Sequence, residues 1–297
     1  RLLYEVTGHY NYTILASMGI LVILLGLVVM AWATRRLIRT MIGVVMPGES
    51  DNLSDLIFSN LQLSKGPKVV VIGGGTGLSV MLRGLKAKTY NLTAVVTVAD
   101  DGGSTGRIRQ DLDIIAPGDL RNCLVALADK EGLMEKLFAH RFGGSGNLTG
   151  HSFGNLFIAA LIEVLGDVEE AMDATSKVLR VRGKVIPSSA EKLRLNAEMT
   201  DGRIVEGESQ IPHAHGKIKR VFTTPEHPRA IQSAVDAIRE ADAIVLGPGS
   251  LYTSIMPNLC VPDIVQAVRT SKAPKIYICN VMTQPGETDD YTVSDHI

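Results

Sequence analysis

The 297-residue sequence has few aromatic residues and few cysteines. Aromatic side chains make up 5% of it, with one tryptophan, so an aromatic-lined pocket for a flat ring is not expected. The three cysteines, Cys123, Cys260 and Cys279, are widely separated and match no zinc-binding spacing, which indicates buried thiols in a reducing compartment. The net charge of −1 gives no general basic field, so nucleic acid is not an expected partner.

Several catalytic motifs are also missing. The sequence contains no HExxH, no CxxC pair, no Ser-His-Asp order and no P-loop lysine. It also lacks the full GxGxxG fingerprint of dinucleotide-binding proteins, because Leu78 stands where the third glycine would be. An NAD-binding oxidoreductase is therefore the least favoured of the functions considered.

One long apolar run, residues 13–33, lies near the start of the sequence. It is uncharged and about as long as a bilayer core is thick, which predicts a transmembrane helix within a membrane anchor of residues 1–40. Arg1 is the only lysine or arginine before the run, and three arginines follow it: Arg35, Arg36 and Arg39. The positive-inside rule then predicts a protein of the cell membrane whose main domain is cytoplasmic. A signal peptide would have its charges before the run, and a buried core helix is seldom so long.

Residues 41–66 are polar and rich in turn-forming residues, with a short helical pattern, and they predict a linker. Residues 67–297 are predicted to form one nucleotide-binding α/β domain. The sequence begins without Met and stops at residue 297, where a helical pattern starts, so truncation at both ends is expected.

The predicted domain opens with a strand that ends in a glycine-rich turn. Residues 69–72 form an apolar run typical of a buried parallel strand, and a helical pattern starts directly after the turn. The turn residues are Gly73, Gly74, Gly75, Thr76 and Gly77. A strand that passes through glycines into a helix N-terminus presents backbone N–H groups that suit phosphate, and a Cβ would hold the ligand away. The alternative is a turn that only packs and binds no ligand.

A second buried strand, residues 92–98, leads to Asp100 and Asp101. An acidic group at this place in a Rossmann-like unit usually meets a ribose hydroxyl or a metal, so the pair is predicted to hold Mg²⁺ or a hydroxyl. Two adjacent carboxylates repel each other and need a cation, an arginine or solvent nearby. Glycines and Arg107 follow the pair and are expected to surround an anionic ligand. A solvated acidic turn is the alternative.

Polar residues also lie at the starts of two predicted helices. His151 and Asn155 lead into an apolar helix, residues 156–165, which is predicted to be buried on all sides. Both are predicted to bind the nucleotide or its phosphates at this helix N-terminus, with a structural role as the alternative. Asp119 starts the other helix, where an N-cap role and a functional role are equally supported.

The succession of strand, glycine turn and helix start occurs a second time. Residues 243–246 are a buried strand, and a last strand, residues 275–279, ends in Asn280. The turn after residue 246 consists of Gly247, Pro248, Gly249 and Ser250. Two such turns at the carboxyl edge of one parallel sheet face the same crevice, which fits a large nucleotide or a ligand with more than one phosphate. The predicted fold class is α/β, with a mostly parallel sheet and a small β-hairpin lobe at residues 193–206.

These motifs resemble a known family. The segments that carry the resemblance are GGGTGLSVMLRGLK, VTVADDGGSTGR, PGDLRNCLVALAD, GHSFGNL, GPGSLYTSIMPNL and CNVMTQPGETDDYT. They are similar to the YvcK branch of the YvcK/CofD-like proteins, also called gluconeogenesis factors, from about Lys68 to the end. The run at residues 13–33 resembles a longer, membrane-anchored form of the family.

The resemblance implies a Rossmann-like three-layer sandwich that binds a UDP-sugar, notably UDP-N-acetylglucosamine. The implied role is regulation of cell shape and wall-precursor supply during growth on gluconeogenic carbon sources. A homo-oligomer and protein partners are implied by the same analogy. Carried over by position, residues 73–77 would take phosphates, Asp100 and Asp101 a metal or hydroxyl, residues 247–250 the opposite wall, and Asn280 the base or sugar.

The CofD branch of the family implies an alternative function. Its members resemble a Mg²⁺-dependent 2-phospho-L-lactate transferase, which moves a phospholactyl group from a guanylyl donor to the deazaflavin Fo. The GGSTGR run after Asp101 is polar, whereas that branch has a less polar stretch that helps receive the Fo ring. The regulatory reading is therefore favoured over the transferase.

Overall fold

A computed structural model of the protein describes residues 12–45, 53–129 and 132–297. The chain divides between Leu61 and Gln62 into two compact units. Helix α1, Tyr12–Val45, belongs to the first unit. Its stretch Ile14–Ile38 has a mean hydropathy of 2.8, is not buried, and is long enough to cross a bilayer. The predicted apolar helix is confirmed, and it extends beyond residue 33.

The segment predicted as a linker contains a helix, α2, Leu53–Ser64. Residues 46–52 of that segment lie outside the described residues. The second unit begins at Gln62, because the end of α2 is bonded to the domain: the Tyr90 N–H donates to Leu63 O and Asn91 Nδ2 donates to Ser64 O, both at 2.9 Å. The end of the predicted linker is thus part of the compact domain.

The second unit is built on a parallel sheet. In chain order the strands of the described residues are β1 (Val69–Gly73), β2 (Leu92–Val96), β3 (Lys184–Pro187), β4 (Arg194–Met199), β5 (Ile204–Glu206), β6 (Ile218–Thr224), β7 (Ala243–Leu246) and β8 (Lys275–Tyr277). The parallel sheet has the order β3-β2-β1-β7-β8, with Val71 opposite Ala94 on one side and Val245 on the other. Its central strands are buried on both faces, which explains their unbroken apolar sequence.

Helices flank this sheet and complete the α/β architecture. In chain order they are α3 (Gly75–Leu85), α4 (Gly103–Leu112), α5 (Gly118–Leu127), α6 (Gly132–Ala139), α7 (Phe153–Leu165), α8 (Val168–Val178), α9 (Gln232–Arg239), α10 (Met256–Leu259) and α11 (Pro262–Thr270). Helix α3 packs against α5, and α9 packs against α11. The strand order reverses between β1 and β7, so right-handed crossovers place these two helix pairs on opposite faces of the sheet. The predicted fold class is confirmed.

The predicted hairpin lobe is part of a larger antiparallel sheet. Strands β4 and β5 form the hairpin, with Ala197 opposite Val205, and β6 pairs on the other side of β4. A 3₁₀ helix, Glu208–His213, connects β5 to β6. The sequence did not predict β6, which is separated from its partner β4 by β5 and the 3₁₀ helix.

Helix α7 is less buried than its sequence predicts. Ile158 and Ala159 are buried, but Ala160 is exposed and 78% of Val164 is accessible. The prediction that this helix is buried on all sides is therefore wrong. Helices α4, α6 and α8 pack against it, yet one apolar face stays open.

Candidate functional site

The two glycine turns meet at the carboxyl edge of the parallel sheet, because β1 and β7 are neighbouring strands. A Cβ on Gly77 would lie 3.0 Å from Pro248 O, and one on Gly249 would lie 3.3 Å from Gly74 O. Glycine at these positions therefore allows the two turns to pack directly together. The shared crevice lies at the point where the strand order reverses, which is where open α/β sheets bind ligands.

The start of α3 is held by a carboxylate from another helix. The Gly75 N–H donates to Asp119 Oδ2 at 2.7 Å, and α3 has no side-chain N-cap of its own. Asp119 makes no capping bond in its own helix α5 either. The interpretation of Asp119 as the N-cap of its own helix is wrong. It places an anionic group at the helix N-terminus where a phosphate is predicted to bind.

The close approach of Asp119 explains part of the glycine pattern. A Cβ on Gly74 would lie 2.6 Å from Asp119 Oδ2 and equally close to Thr97 Cγ2. Gly75 has a φ of 68°, in the left-handed region that favours glycine. The glycines thus have a packing role in the structure, in addition to the predicted phosphate-binding role.

Burial raises the pKa of Asp119 to about 6. The bond from Gly75 and the positive charge of Arg121 lower this pKa, whereas the negative charge of Asp100 raises it. Loss of hydration is the largest of these effects, so the net shift of the Asp119 pKa is upward. The charge of Asp119 therefore changes near physiological pH.

Asp100 and Asp101 contact different parts of the fold. Asp100 Oδ1 accepts a bond of 2.9 Å from the Gly102 N–H, and burial raises the pKa of Asp100, to which the charge of Asp101 adds. Asp101 Oδ1 accepts a bond of 2.9 Å from the Ser209 N–H, at the start of the 3₁₀ helix. Asp101 thus connects the crevice to the 3₁₀ helix that lies between β5 and β6.

More carboxylates converge on this region than the sequence analysis included. The pKa of Glu208 is raised to about 8, first by burial and then by the charges of four neighbours: Asp100, Asp101, Asp119 and Glu287. Glu287 is buried and accepts a bond of 3.1 Å from Thr253 Oγ1. An anionic pocket of this kind is stabilised by protons or by a cation.

Asp100 and Asp101 would hold a metal ion only together with a bound ligand. Within the described residues, no group of three or more His, Cys, Asp or Glu side chains is arranged to hold a metal ion. Mg²⁺ is usually bound by one or two carboxylates together with phosphate oxygens and water. Asp100 and Asp101 would supply the carboxylates for such a site, and the remaining positions would fall to the ligand and water.

The second glycine turn is supported by the segment that follows β8. Asn280 Nδ2 donates to Gly249 O at 3.0 Å, and Gln284 Nε2 donates to Ser250 Oγ at 2.5 Å. Gly247 has a φ of 83°, which favours glycine. The structure places Asn280 against the turn, as a support for the wall that residues 247–250 form.

His151, Asn155 and Arg107 form a second cluster, around Ser104 at the start of α4. Ser104 Oγ lies 3.3 Å from His151 Nδ1 and accepts a bond of 3.4 Å from Asn155 Nδ2. Arg107 Nη2 donates to Thr149 O at 2.9 Å, and burial and the Arg107 charge lower the pKa of His151. Asn155 Oδ1 is buried without a hydrogen-bond partner, so a donor from a ligand or water would stabilise it.

Sequence reasoning missed several residues of the crevice. Asn258, which is fully buried, donates through Nδ2 to Gly73 O at 3.2 Å and to Ser254 O at 2.9 Å, and so holds the first turn against the residues that follow the second. For Asp119 the sequence supports an N-cap role and a functional role equally, and Glu287 lies in a motif of the family resemblance without a role of its own. Glu208 follows a hairpin and carries no sequence signal, because its burial results from the docking of the antiparallel sheet.

Comparisons with known proteins agree on one family. The sequence model described as 2-phospho-L-lactate transferase CofD matches residues 69–297. A Nostoc sp. PCC 7120 protein is 55% identical over 279 residues, covering 94% of this chain and 61% of its own. A Bacillus subtilis protein named gluconeogenesis factor is 58% identical over 231 residues, covering 78% of this chain and 73% of its own. The chain thus spans less than two thirds of the Nostoc relative.

The chain is also similar in fold and sequence to a solved structure. A Bacillus halodurans crystal structure superposes with a TM-score of 0.77 at 58% sequence identity, covering 78% of this chain and 75% of that one. The family match, the identities and the shared fold together show that the chain belongs to the CofD/YvcK family.

Proposed function

We propose that the protein binds a UDP-sugar of the UDP-N-acetylglucosamine type in the crevice between its two glycine turns. The observation that carries the proposal is the meeting of these turns at the β1–β7 switch point, with the N-terminus of α3 directed at one place. The diphosphate would accept hydrogen bonds from the N–H groups of residues 74–77.

Binding would change the environment of Asp119. A phosphate at the N-terminus of α3 competes with Asp119 Oδ2 for the Gly75 N–H, because both are anionic acceptors. A proton on Asp119, or Mg²⁺ between the two anions, would reduce their repulsion. Ligand affinity is therefore coupled to pH and to Mg²⁺.

The proposed role is regulatory. Relatives named gluconeogenesis factor support a function in growth on gluconeogenic carbon sources, and the resemblance to the YvcK branch adds cell shape and wall-precursor supply. A UDP-sugar is a precursor of the cell wall, so a protein that senses it through this crevice and acts on partner enzymes would serve this role. A homo-oligomer is part of the proposal, to be tested by light scattering on the purified protein.

A phospholactyl transferase is the second candidate, and the carboxylates of the crevice favour it. In that reaction the acceptor hydroxyl would form a P–O bond to the phospholactyl phosphorus as the bond from this phosphorus to the nucleoside monophosphate breaks, with the hydroxyl proton passing to solvent. Asp100 and Asp101 would hold a Mg²⁺ ion, which would neutralise charge on the leaving nucleotide. The description of the matching family model also supports it. The two candidates differ in their ligands, which makes them separable.

A thermal-shift panel on the full chain in detergent tests the proposal. UDP-N-acetylglucosamine, UDP-glucose, GDP and Fo are each added with and without Mg²⁺. A ligand at about 100 times its Kd adds roughly 2.7 kcal/mol to the free energy of unfolding, which raises Tm by a few degrees. Stabilisation by UDP-sugars alone supports the regulator, whereas stabilisation by GDP or Fo supports the transferase.

We also propose that α1 anchors the protein in the cell membrane, with the domain in the cytoplasm. Its length and hydropathy support this, as do the arginines after the apolar run. The Nostoc alignment is longer than residues 67–297 and therefore includes part of the N-terminal segment. Alkaline extraction of membranes is the test: an anchored protein stays in the pellet at full length, while a cleaved signal sequence releases a shorter soluble form.

A further inference from the structure

A second cavity lies beside Asp101, between α4 and the antiparallel sheet. Its volume is about 490 Å³, which is within the range of small-molecule sites. The residues of its wall that carry the argument are Asp101, Arg109, Gln110, Lys192, Arg194 and Glu206. Of these, only Asp101 is among the residues predicted to bind a ligand.

The cations of this cavity are already matched by anions or carbonyl groups. Lys192 forms an ion pair with Asp113, and Arg194 Nη1 lies 2.9 Å from Glu206 Oε2. The Arg109 guanidinium donates to Leu193 O. A phosphate would have to break these pairs, so the charge balance of the cavity argues against an anionic ligand.

The remaining groups suit neutral hydroxyls. Gln110 and Gln210 bring amide donors and acceptors to the wall, and none of the lining residues is aromatic. The Arg194–Glu206 pair is more than half exposed on both side chains, so its remaining N–H groups and oxygen lone pairs can bond to a hydroxyl while the pair stays intact. A mixed set of donors and acceptors without a stacking surface recognises a polyhydroxylated group rather than a nucleobase.

We propose that this cavity is the subsite for the sugar part of the ligand. The inference rests on the proposed binding of a UDP-sugar in the crevice. Asp101 belongs to both the crevice and the cavity. It follows Asp100, which lies at the crevice, and its Oδ1 accepts the Ser209 N–H at the cavity. The diphosphate lies at the glycine turns, and the sugar enters between α4 and the antiparallel sheet.

The test compares a nucleotide with and without its sugar. UDP-N-acetylglucosamine and UDP are titrated calorimetrically into the full chain in detergent, as wild type and as the double variant Gln110→Ala/Gln210→Ala. Both glutamines are exposed, so the double variant keeps the fold. Gln266→Ala, an exposed glutamine on α11 away from the cavity, is the matched control.

The expected result is a loss of about tenfold in affinity for UDP-N-acetylglucosamine in the double variant, the effect of one or two lost hydrogen bonds. Its affinity for UDP stays at the wild-type value, and the control binds both as the wild type does. Equal affinity of variant and wild type for UDP-N-acetylglucosamine overturns the subsite, as does an equal loss for UDP. A wild type that binds neither nucleotide overturns the proposed function itself, and the subsite with it.

Discussion

Asp119 Oδ2 accepts a hydrogen bond of 2.7 Å from the backbone N–H of Gly75, 44 positions earlier in the chain. A partly buried carboxylate thus holds the N-terminus of the helix that is proposed to bind phosphate. This relationship makes the charge of one side chain relevant to both stability and ligand binding.

The first prediction concerns Gly75. A Gly75→Ala variant has to place a Cβ at φ 68° and 3.2 Å from Ser254 Oγ, which costs about 1–2 kcal/mol of stability. The same Cβ would hold a phosphate off the turn, so we expect affinity for UDP-N-acetylglucosamine to fall by at least about tenfold in calorimetry.

Gly84→Ala is the matched control for this variant. Gly84 lies in the same helix, and a Cβ there meets nothing within 4 Å. Stability should rise by about 0.5–1 kcal/mol because alanine favours the helix, with unchanged affinity. Equal affinity of the Gly75 and Gly84 variants would contradict the phosphate-binding assignment of the first turn.

The second prediction is a pH dependence of stability. The folded-state pKa values of Asp119, about 6, and Glu208, about 8, lie above their ordinary values of 3.8 and 4.5. The folded protein therefore binds more protons than the unfolded chain, and the stabilisation is complete below the ordinary pKa values. It is lost as pH rises through about 6 for Asp119 and about 8 for Glu208.

Urea unfolding between pH 5 and 8 measures this effect. Asp119→Asn keeps an oxygen acceptor for the Gly75 N–H but cannot ionise. We therefore expect the free energy of unfolding to fall less with rising pH in the variant than in the wild type, by on the order of 1–3 kcal/mol. Asp173→Asn, at an exposed position of α8, removes one charge without changing the profile. If the Asp119 variant and the wild type show the same pH profile, the carboxylate is not a titrating group of this range.

The glycine turns were predictable because their signal is local. A short apolar run followed by glycines and a helical pattern identifies β1 and α3, and again β7, within about ten residues each. The adjacency of the turns followed from one further rule, that ligand crevices lie at the carboxyl edge of a parallel sheet.

The role of Asp119 could not be predicted in the same way. A carboxylate after Pro-Gly at a helix start is equally typical of an N-cap, and only the packing of α3 against α5 shows which N–H it meets. The burial of Glu208 and the open face of α7 also depend on tertiary packing, which one sequence does not encode in a local pattern.

The third prediction concerns Mg²⁺. If Asp101 holds the ion together with a diphosphate, then Mg²⁺ strengthens binding of UDP-N-acetylglucosamine to the wild type. In Asp101→Asn the side-chain oxygen still accepts the Ser209 N–H, so the fold is kept and only the enhancement by Mg²⁺ is reduced. Glu169→Gln, at an exposed position of α8, should keep the full enhancement. The same enhancement in the Asp101 variant, or none in the wild type, would exclude Asp101 as a metal ligand.

The last prediction concerns the support beneath the two turns. Asn258 is fully buried and bridges Gly73 O and Ser254 O, so Asn258→Ala removes both of these hydrogen bonds and creates a small cavity, although Gly73 O still accepts the Thr97 N–H. We expect a loss of about 1–3 kcal/mol in the free energy of unfolding, measured in urea, because two buried hydrogen bonds are lost and a cavity remains. Asn147→Ala, in an exposed loop, should change stability by less than about 0.5 kcal/mol. Because Asn258 holds the first turn against the residues that follow the second, UDP-N-acetylglucosamine should bind the loosened turns of the variant more weakly and therefore raise its stability less than it raises that of the Asn147 control. Equal stabilisation of the two variants by the ligand would show that binding does not depend on how Asn258 holds the turns together.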